Sequence, residues 1–462
     1  MSPTASTAAQ PRLSRFDRTV FLFLAGVLLL TLVIIWRGDR VGIGVSHISP
    51  AGDSPDASTQ TDVRLTFAQE IANRDALQFQ FTPPVSGTVR WEGRTAIFTP
   101  DRPLMADTGY QVTVPAGLVS RQGRELLAPV SWQFHTRQPR LLYIAWDAQD
   151  NSQVYLVDPA GGDARQLTQS PHGVVDYAAS PDSRWLIYSA LREDGGSDLY
   201  QLPLADQGQA TLLLACPEAA CTGPVWSPDG RRLVYERRSM PQAGAPPGPP
   251  RLWWLDANSG QTVPIFEDSQ WLGLGARFSP DGQWISYISP LSQEIHAYNL
   301  QNGQTVLIPS QTGETASWNP AGDRLVVTEI QFQGEQFAVH LFSVDLATGE
   351  LTDLSNEIAV NDGSPVYSPD GQWILFGRKV SRAPMGKQLW LMRPDGSEAT
   401  QLTTDPEIHY GLPQWSPDGR QIVVQRYPIT EPGADPAIWI IDVATLAQTE
   451  IAAPGIQPAW LP

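Results

Sequence analysis

Cysteine is almost absent from this chain, which has only Cys216 and Cys221 among its 462 residues. Two cysteines without a neighbouring pair of histidines cannot complete a four-ligand zinc site, and no metal site is expected. The run CPEAAC between them allows two states, a local disulfide that closes a short loop or two free thiols. In either state the pair would be structural.

Positive charge is also scarce. Lysine and arginine together number 31, against 48 aspartates and glutamates, and the formal net charge is −17. A chain this acidic is poorly suited to binding nucleic acid through phosphate contacts, so no nucleic-acid partner is expected. The charge is typical of a surface that favours solubility.

Turn-forming residues are abundant, in contrast. The chain has 38 glycines and 41 prolines, which favour short strands and turns over helices. Its 16 tryptophans supply large apolar faces for packing one sheet against another. The composition therefore predicts an all-β protein.

One long apolar run interrupts this pattern at residues 19–36, TVFLFLAGVLLLTLVIIW. As a helix of about 1.5 Å per residue it would span roughly 27 Å, close to a bilayer core. Arg12, Arg15 and Arg18 precede it and favour a cytoplasmic N-terminus. The rival interpretation, a cleaved signal peptide, lacks a small-residue cleavage site after the run. The sequence thus predicts a transmembrane helix at 19–36, a disordered cytoplasmic tail at 1–18, and extracytoplasmic domains beyond.

Residues 45–138 form a separate unit of short alternating runs, which is typical of an antiparallel sandwich. The order of its elements, from ISPAG at 48–52 through VRLTF at 63–67 to TGYQVTV at 108–114, resembles the bacterial Ig-like domain of SbsA type. That resemblance implies a spacer or adhesion module.

Residues 140–462 contain one motif six times, with a period of 40 to 52 residues that suits one four-stranded propeller blade per repeat. The copies are SPDSRW at 180–185, SPDGRR at 227–232, SPDGQW at 279–284, NPAGDR at 319–324, SPDGQW at 368–373 and SPDGRQ at 416–421. Proline, serine, aspartate and glycine in this order form a tight turn. Because the aspartates recur once per blade around a ring, we interpret them as turn formers.

The number of blades follows from the strand pair after each turn, which occurs seven times. The run QPAW at 457–460 resembles the strand that precedes a turn and would complete the first blade. The sequence predicts seven blades, with six or eight as alternatives. The repeats resemble the WD-like blades of TolB-type propellers, and this resemblance implies a protein or cell-envelope partner.

The loops that enter the innermost strands would rim one mouth of the central channel. The candidate binding residues there are His172, Asp176, Trp271, Glu314, Asp362, His409 and Tyr410. His172 and His409 occupy comparable places in their blades. The alternative is that these are solvated loop residues without a common task.

Motifs for catalysis are missing: the sequence has no Gly-x-Ser-x-Gly elbow, phosphate loop, dinucleotide fingerprint or His-Glu-x-x-His. The leading hypothesis is a non-enzymatic, membrane-anchored scaffold that binds its partner through the propeller and needs no cofactor. The alternatives are a propeller enzyme or carbohydrate-binding module acting at the channel mouth, and a purely architectural stalk and head.

Overall fold

The structure is a computed structural model. It describes residues 15–38, 42–159, 162–204, 208–240, 246–333, 336–356, 359–380, 386–431 and 433–461. Strands dominate these ranges, so the predicted all-β class is confirmed.

The helix α1, Arg15–Gly38, precedes the β units. Its described side chains from residue 19 to residue 33 are exposed. Within the described ranges, no helix is long and apolar enough to cross a membrane. The prediction of a single-pass anchor at 19–36 with extracytoplasmic domains is therefore wrong. The predicted tail at 1–18 lies mostly outside the described residues.

Two four-stranded sheets form a sandwich after the helix. Its strands are β1 Val45–Ser49, β2 Ser54–Ala57, β3 Val63–Phe67, β4 Gln80–Thr82, β5 Gly87–Glu92, β6 Thr95–Pro100, β7 Gly109–Val114 and β8 Val130–Thr136, with a short 3₁₀ helix at Arg74–Ala76. The sheet orders are β1-β3-β6-β5 and β2-β8-β7-β4. Alternation in β3 buries Val63, Leu65 and Phe67 completely. Burying side chains of this kind contributes about 1.5–3 kcal/mol each, which explains the period-two pattern.

The remaining strands form antiparallel four-stranded units. The first of them run β9 Arg140–Trp146, β10 Ser152–Val157, β11 Arg165–Gln166, β12 Val174–Ala179, β13 Trp185–Leu191, β14 Ser197–Pro203, β15 Thr211–Leu214, β16 Ala219–Trp226, β17 Arg232–Ser239, β18 Arg251–Asp256, β19 Thr262–Pro264, β20 Leu274–Phe278, β21 Trp284–Ser289, β22 Glu294–Asn299 and β23 Thr305–Pro309. The others are β24 Ser317–Trp318, β25 Arg324–Gln333, β26 Gln336–Asp345, β27 Leu351–Asp353, β28 Val360–Tyr367, β29 Ile374–Val380, β30 Gln388–Met392, β31 Thr400–Gln401, β32 Ile408–Trp415, β33 Gln421–Pro428, β34 Ala437–Asp442, β35 Gln448–Ala452 and β36 Ile456–Leu461.

These units are the blades of a β-propeller. β12 to β15, β16 to β19, β20 to β23, β24 to β27, β28 to β31 and β32 to β35 each pair in sequence order. Single parallel bridges join two pairs of neighbouring units, Ser197 to Ala220 in one pair and Val339 to Asn361 in the other. The predicted propeller is thus confirmed as a fold.

The last strand pairs with the first one of the propeller. β36 lies beside β9, with Trp460 opposite Leu141 and Leu461 opposite Arg140, in a sheet of order β11-β10-β9-β36. Trp460 is buried among residues of β9, β10, β33 and β34. The two ends of the propeller are therefore held in one blade.

The repeated motif forms tight turns at the C-terminal end of the blades' first strands. In five copies the serine hydroxyl donates to the aspartate two residues later, over 2.5 to 2.7 Å. In the first copy Ser183 replaces glycine and itself adopts a φ of 56°. In the fourth copy the Asn319 side chain accepts the amide hydrogens that serine accepts elsewhere. The motif aspartates are thus used within their own turns.

The sandwich packs on the end of the propeller that carries these turns, which we call the motif end. Ser58 Oγ donates to the carbonyl of Pro181 at 3.4 Å, in the first turn. Arg231, in the second turn, forms a 2.8 Å ion pair with Glu92. The sandwich therefore covers the motif end, and the loops entering the blades lie at the opposite end, the loop mouth.

Cys216 and Cys221 form a disulfide, with their Cα atoms 6.3 Å apart. The bond closes the loop that leads into β16. The guanidinium of Arg192 donates to the carbonyl of Cys216 at 2.9 Å, and Asp198 accepts the amide hydrogen of the same residue at 2.7 Å. These hydrogen bonds hold the backbone at Cys216, so the disulfide has a structural role.

Candidate functional site

The first strands of the blades form the wall of the central channel. Several of these strands contain a β-bulge. The residues at these bulges have φ between 49° and 64°; they are Gly223, Gly275, Ser364, Leu412 and Gln457. A proline follows four of them, and its missing N–H removes a ladder hydrogen bond. The bulge amides are thereby turned away from their own sheet.

Side chains of the preceding blade accept hydrogen bonds from four of these amides. The pairs are Gly223 with Asp176 Oδ2 at 2.7 Å, Gly275 with Glu236 Oε1 at 2.8 Å, Ser364 with Glu314 Oε2 at 2.6 Å, and Gln457 with Gln425 Oε1 at 3.2 Å. Hydrogen bonds from an amide to a carboxylate are stronger than neutral ones. Asp176 and Glu314, two of the predicted mouth residues, therefore link neighbouring blades.

Asp176 is the more buried of these two carboxylates. Its second oxygen accepts a short hydrogen bond from Ser189. Burial raises the pKa of Asp176 to about 6, and the nearby charge of Glu236 acts in the same direction. Asp176 thus serves as a protonatable contact between blades.

Glu314 lies in a second polar group, together with Lys387. The Lys387 ammonium is 3.9 Å from Glu314 Oε1, and both side chains are partly exposed, at 24% and 33%. The stem of Lys387 passes over Gly363 and Gly377, which pair across β28 and β29. A Cβ on Gly363 would collide with the ammonium and lie 2.8 Å from Glu314 Oε1. Two glycines therefore provide the groove that directs Lys387 toward Glu314.

His409 adjoins the same lysine. Its Nδ1 lies 3.5 Å from the Lys387 amide nitrogen, which donates to it, and its ring stacks on Tyr427 with centroids 4.8 Å apart. Burial lowers the pKa of His409 to about 4, and the positive charges of Lys387 and Lys379 act in the same direction. The imidazole is accordingly neutral at pH 7. We call Glu314, Lys387 and His409 the lysine cluster.

The other predicted mouth residues lie elsewhere. Asp362 is fully buried in an ion pair with Arg378, and Tyr410 is 2% exposed within the core of its blade. His172 is exposed in the loop before β12, and Trp271 is also exposed, at 38%, and packs on Phe266 at a centroid distance of 4.9 Å. Of the predicted set, the structure brings together Glu314 and His409.

A cavity of 850 Å³ occupies the channel between the bulges and the motif end. Residues of β20, β24, β28, β32 and β36 line it, and Gln60, Asp101 and Pro103 of the sandwich contribute to its boundary. Glu314 and Leu412 reach it from the bulge level. The lysine cluster and the cavity are thus neighbouring parts of one channel.

Arg277, in β20, is the cationic residue among those that line this cavity. Burial lowers the pKa of Arg277, with the carboxylate of Glu236 acting in the opposite direction, although the side chain stays accessible to solvent. Arg277 lies two residues before the first residue of its motif, and the same position in the other copies holds Ala178, Val225, Ser317, Val366 and Gln414. A comparison of the repeats at this position would have identified Arg277 from the sequence, because it is the charged residue among these equivalents.

Lys387 was not identifiable in this way. It lies directly before β30, the third strand of its blade, and its direction depends on glycines in two other strands. Among the residues that the structure describes, no group of three or more His, Cys, Asp or Glu side chains could hold a metal ion. The candidate site therefore consists of charged side chains in fixed positions beside apolar residues of the channel wall.

Comparison with known families assigns both β units. Residues 251–460 match the TolB beta propeller domain family, and residues 39–136 match the bacterial Ig-like domain family. These matches confirm the two resemblances that the sequence motifs indicated.

Individual relatives are more distant. An uncharacterized peptidase, YuxL, of Bacillus subtilis strain 168 is 22% identical over 198 residues, which cover 35% of this chain and 30% of the relative. An uncharacterized protein, Atu1656, of Agrobacterium fabrum is 28% identical over 185 residues, covering 38% of this chain and 55% of the relative. The chain thus spans about half or less of the length of these relatives.

A solved structure shows the same fold. The β-propeller domain of the Trilobed protease from Pyrococcus furiosus superposes with a TM-score of 0.50 and 12% identity, over 68% of this chain and 92% of that domain. At this identity the likeness concerns the propeller fold alone.

Proposed function

We propose that this chain, which carries a TolB-type β-propeller domain and a bacterial Ig-like domain, is a binding protein that engages a protein or cell-envelope partner through the propeller channel. We further assign the sandwich to residues 45–138 and the propeller to residues 140–462, with seven blades closed by β36. The relation to the TolB family supports a binding role for the propeller.

The observation that carries this proposal is the fixed geometry of the lysine cluster. Glu314 is held by the Ser364 amide at 2.6 Å, and the glycine groove directs Lys387 toward it. Both charges nevertheless remain partly exposed. Leu412, which is 48% exposed, lies on the adjacent inner strand and lines the same channel. Charges held in place beside an exposed apolar side chain are suited to binding, because little side-chain entropy is lost when a partner docks.

A catalytic role is not proposed for this cluster. Glu314 is engaged by Lys387 and by a backbone amide, and His409 is stacked on Tyr427. The alternative, a propeller enzyme or carbohydrate-binding module, would require a polar group free to act on a bound substrate. The match to the uncharacterized peptidase covers 30% of that protein, and this is too little to support a peptidase activity here.

Site-specific cross-linking in the native bacterium tests the proposal. A photoreactive amino acid replaces Leu412 in the full chain, and the cross-linked products are compared with and without Lys387→Met. Methionine preserves the apolar stem in the glycine groove but removes the charge. We expect a specific adduct that Lys387→Met reduces at least about tenfold, corresponding to roughly 1.4 kcal/mol of binding free energy.

The matched control is Arg121→Gln, because Arg121 is 67% exposed on the sandwich and pairs with Glu70. This variant should leave the adduct unchanged. Absence of any specific adduct, or an adduct of equal yield in Lys387→Met, would contradict the proposed role of the channel.

A further inference from the structure

The cavity at the motif end has a rigid aromatic wall. Trp318, Trp415 and Trp460, which are 8 to 9% exposed, contribute the exposed part of their rings to it, and their indole N–H groups donate to carbonyls of the preceding inner strand at 3.3, 3.3 and 3.5 Å. Because these hydrogen bonds fix the indoles, the ring positions are set before any ligand arrives. Phe278 adds another apolar face. The wall is suited to an apolar or aromatic body.

Arg277 is the cation of the cavity, and its guanidinium has few partners in the protein. It donates to the neighbouring Ala276 carbonyl at 3.1 Å. No carboxylate in the described ranges forms an ion pair with it within 4.0 Å. Glu236 influences it from farther away and is itself occupied by the Gly275 amide and by Arg238.

The other acidic residues of the cavity do not neutralise this charge by contact. Glu314 forms an ion pair with Lys387 and accepts a hydrogen bond from the Ser364 amide. Asp101 lines the cavity from the sandwich and forms no ion pair with Arg277 within the described part of the chain. Arg277 is exposed and forms no ion pair among the described residues, so its charge is available to an anion that binds beside it in the cavity.

We propose that this cavity is a binding site for a small ligand that combines an aromatic or apolar body with a carboxylate or phosphate group, and that Arg277 binds the anionic group. The planar fork of a guanidinium matches both anions through paired hydrogen bonds. The volume of 850 Å³ lies within the range of roughly 300–1,000 Å³ usual for small-molecule sites. The indoles would hold the body while Arg277 sets its orientation.

Calorimetric titration of the full chain with a matched pair of probes tests this inference. Indole-3-acetate carries the carboxylate, and indole-3-acetamide has the same shape without the charge. Phenyl phosphate tests the second anion. We expect the carboxylate or the phosphate to bind at least about tenfold more tightly than the amide, and Arg277→Gln to reduce that ratio to about one.

Two further variants separate the contributions. Arg277→Lys keeps the charge without the fork and should retain only part of the preference. Arg184→Gln is the matched control, because Arg184 is 72% exposed in the first motif turn, and it should leave the ratio unchanged. Thermal melting of each variant verifies that it is folded.

The inference goes beyond the partner surface, and the two are distinguishable. Lys387→Met should preserve anion binding even where it removes the cross-linked partner. Equal affinities for the acid and the amide, an unchanged preference in folded Arg277→Gln, or no binding of any probe at millimolar concentration would overturn the assignment.

Discussion

The carboxylate of Asp362 accepts two hydrogen bonds from the guanidinium of Arg378, at 2.7 and 2.8 Å, and both side chains are almost completely buried. Ser355 donates a third hydrogen bond to the same carboxylate at 2.6 Å. The guanidinium also lies over the rings of Phe376 and Trp390, 5.1 and 5.3 Å from their centroids. This pair fixes β28 to β29 inside one blade, so Asp362 contributes to the channel by supporting its wall.

Asp362→Asn should destabilise the protein by about 3–5 kcal/mol, since it removes the carboxylate charge that pairs with the buried Arg378 guanidinium. Urea denaturation of the full chain measures the effect. Glu398→Gln is the control, because Glu398 is 61% exposed in its pair with Arg393 and should matter far less. Equal losses in the two variants would show that the Asp362 pair is not a buried charge contact.

Asp176 should make stability depend on pH. Its pKa of about 6 is above the ordinary value of 3.8, so the folded protein binds the proton more tightly than the unfolded chain. The stabilisation is then full below about pH 4 and is lost as the pH rises through 6. The difference corresponds to roughly 3 kcal/mol between the protonation states.

Asp176→Asn tests this dependence, because the amide resembles the protonated acid. Denaturation at pH 4, 5, 6 and 7 should show the variant gaining stability relative to the wild type as the pH rises. Carboxylates that do not interact with Asp176 titrate alike in both proteins and cancel from the difference to a first approximation. A stability difference that is constant across this range would refute the assignment.

Gly363→Ala should alter binding more than stability. The added Cβ would displace the flexible end of Lys387 and crowd the Glu314 carboxylate, without meeting backbone. We expect a change in unfolding free energy within about 1 kcal/mol and loss of the Leu412 cross-link. Gly44→Ala in the sandwich is the control, since its Cβ would meet Ala68 at an ordinary 3.7 Å. An unchanged cross-link in Gly363→Ala would argue against the glycine groove.

Trp460→Ala should weaken the closure of the propeller. Trp460 is 8% exposed and packs against β9, so its truncation is expected to cost about 3–5 kcal/mol. Trp146→Ala removes a side chain that is 38% exposed and should cost much less. Chemical denaturation distinguishes the two, and similar midpoints would contradict the packing role of Trp460.

The sequence predicted the propeller well because its signal is repeated. A turn that needs proline, glycine and a hydroxyl-carboxylate pair recurs at blade spacing, and local chemistry fixes its form even where Asn319 or Ser183 departs from the pattern. The sandwich was predictable for a similar reason, since alternation in β3 reports burial directly. The prediction of a membrane anchor was wrong, because an apolar run shows the composition of a helix and does not show what surrounds that helix.

The site was predicted only in part, for physical reasons. The expected place at the entry to an inner strand identified Glu314 and His409, which do adjoin Lys387, although His409 lies in β32 itself. It could not show that Asp362 points to Arg378, because that contact depends on the register of β28 and β29. The position of Lys387 depends on two glycines in different strands. Such a contact between distant residues produces no periodic pattern in the sequence.

The pairing of β36 with β9 also orders the events of biosynthesis. Tyr177 donates its hydroxyl hydrogen to the carbonyl of Gln457, a residue 280 positions later. A ribosome releases about 5–20 residues per second, so the strands near β9 must wait many seconds for their partner. During that interval β9 presents an unpaired edge, which is a template for contact with other chains. The polypeptide is therefore most dependent on chaperone protection before β36 emerges, and a prematurely terminated product would keep that exposed edge permanently.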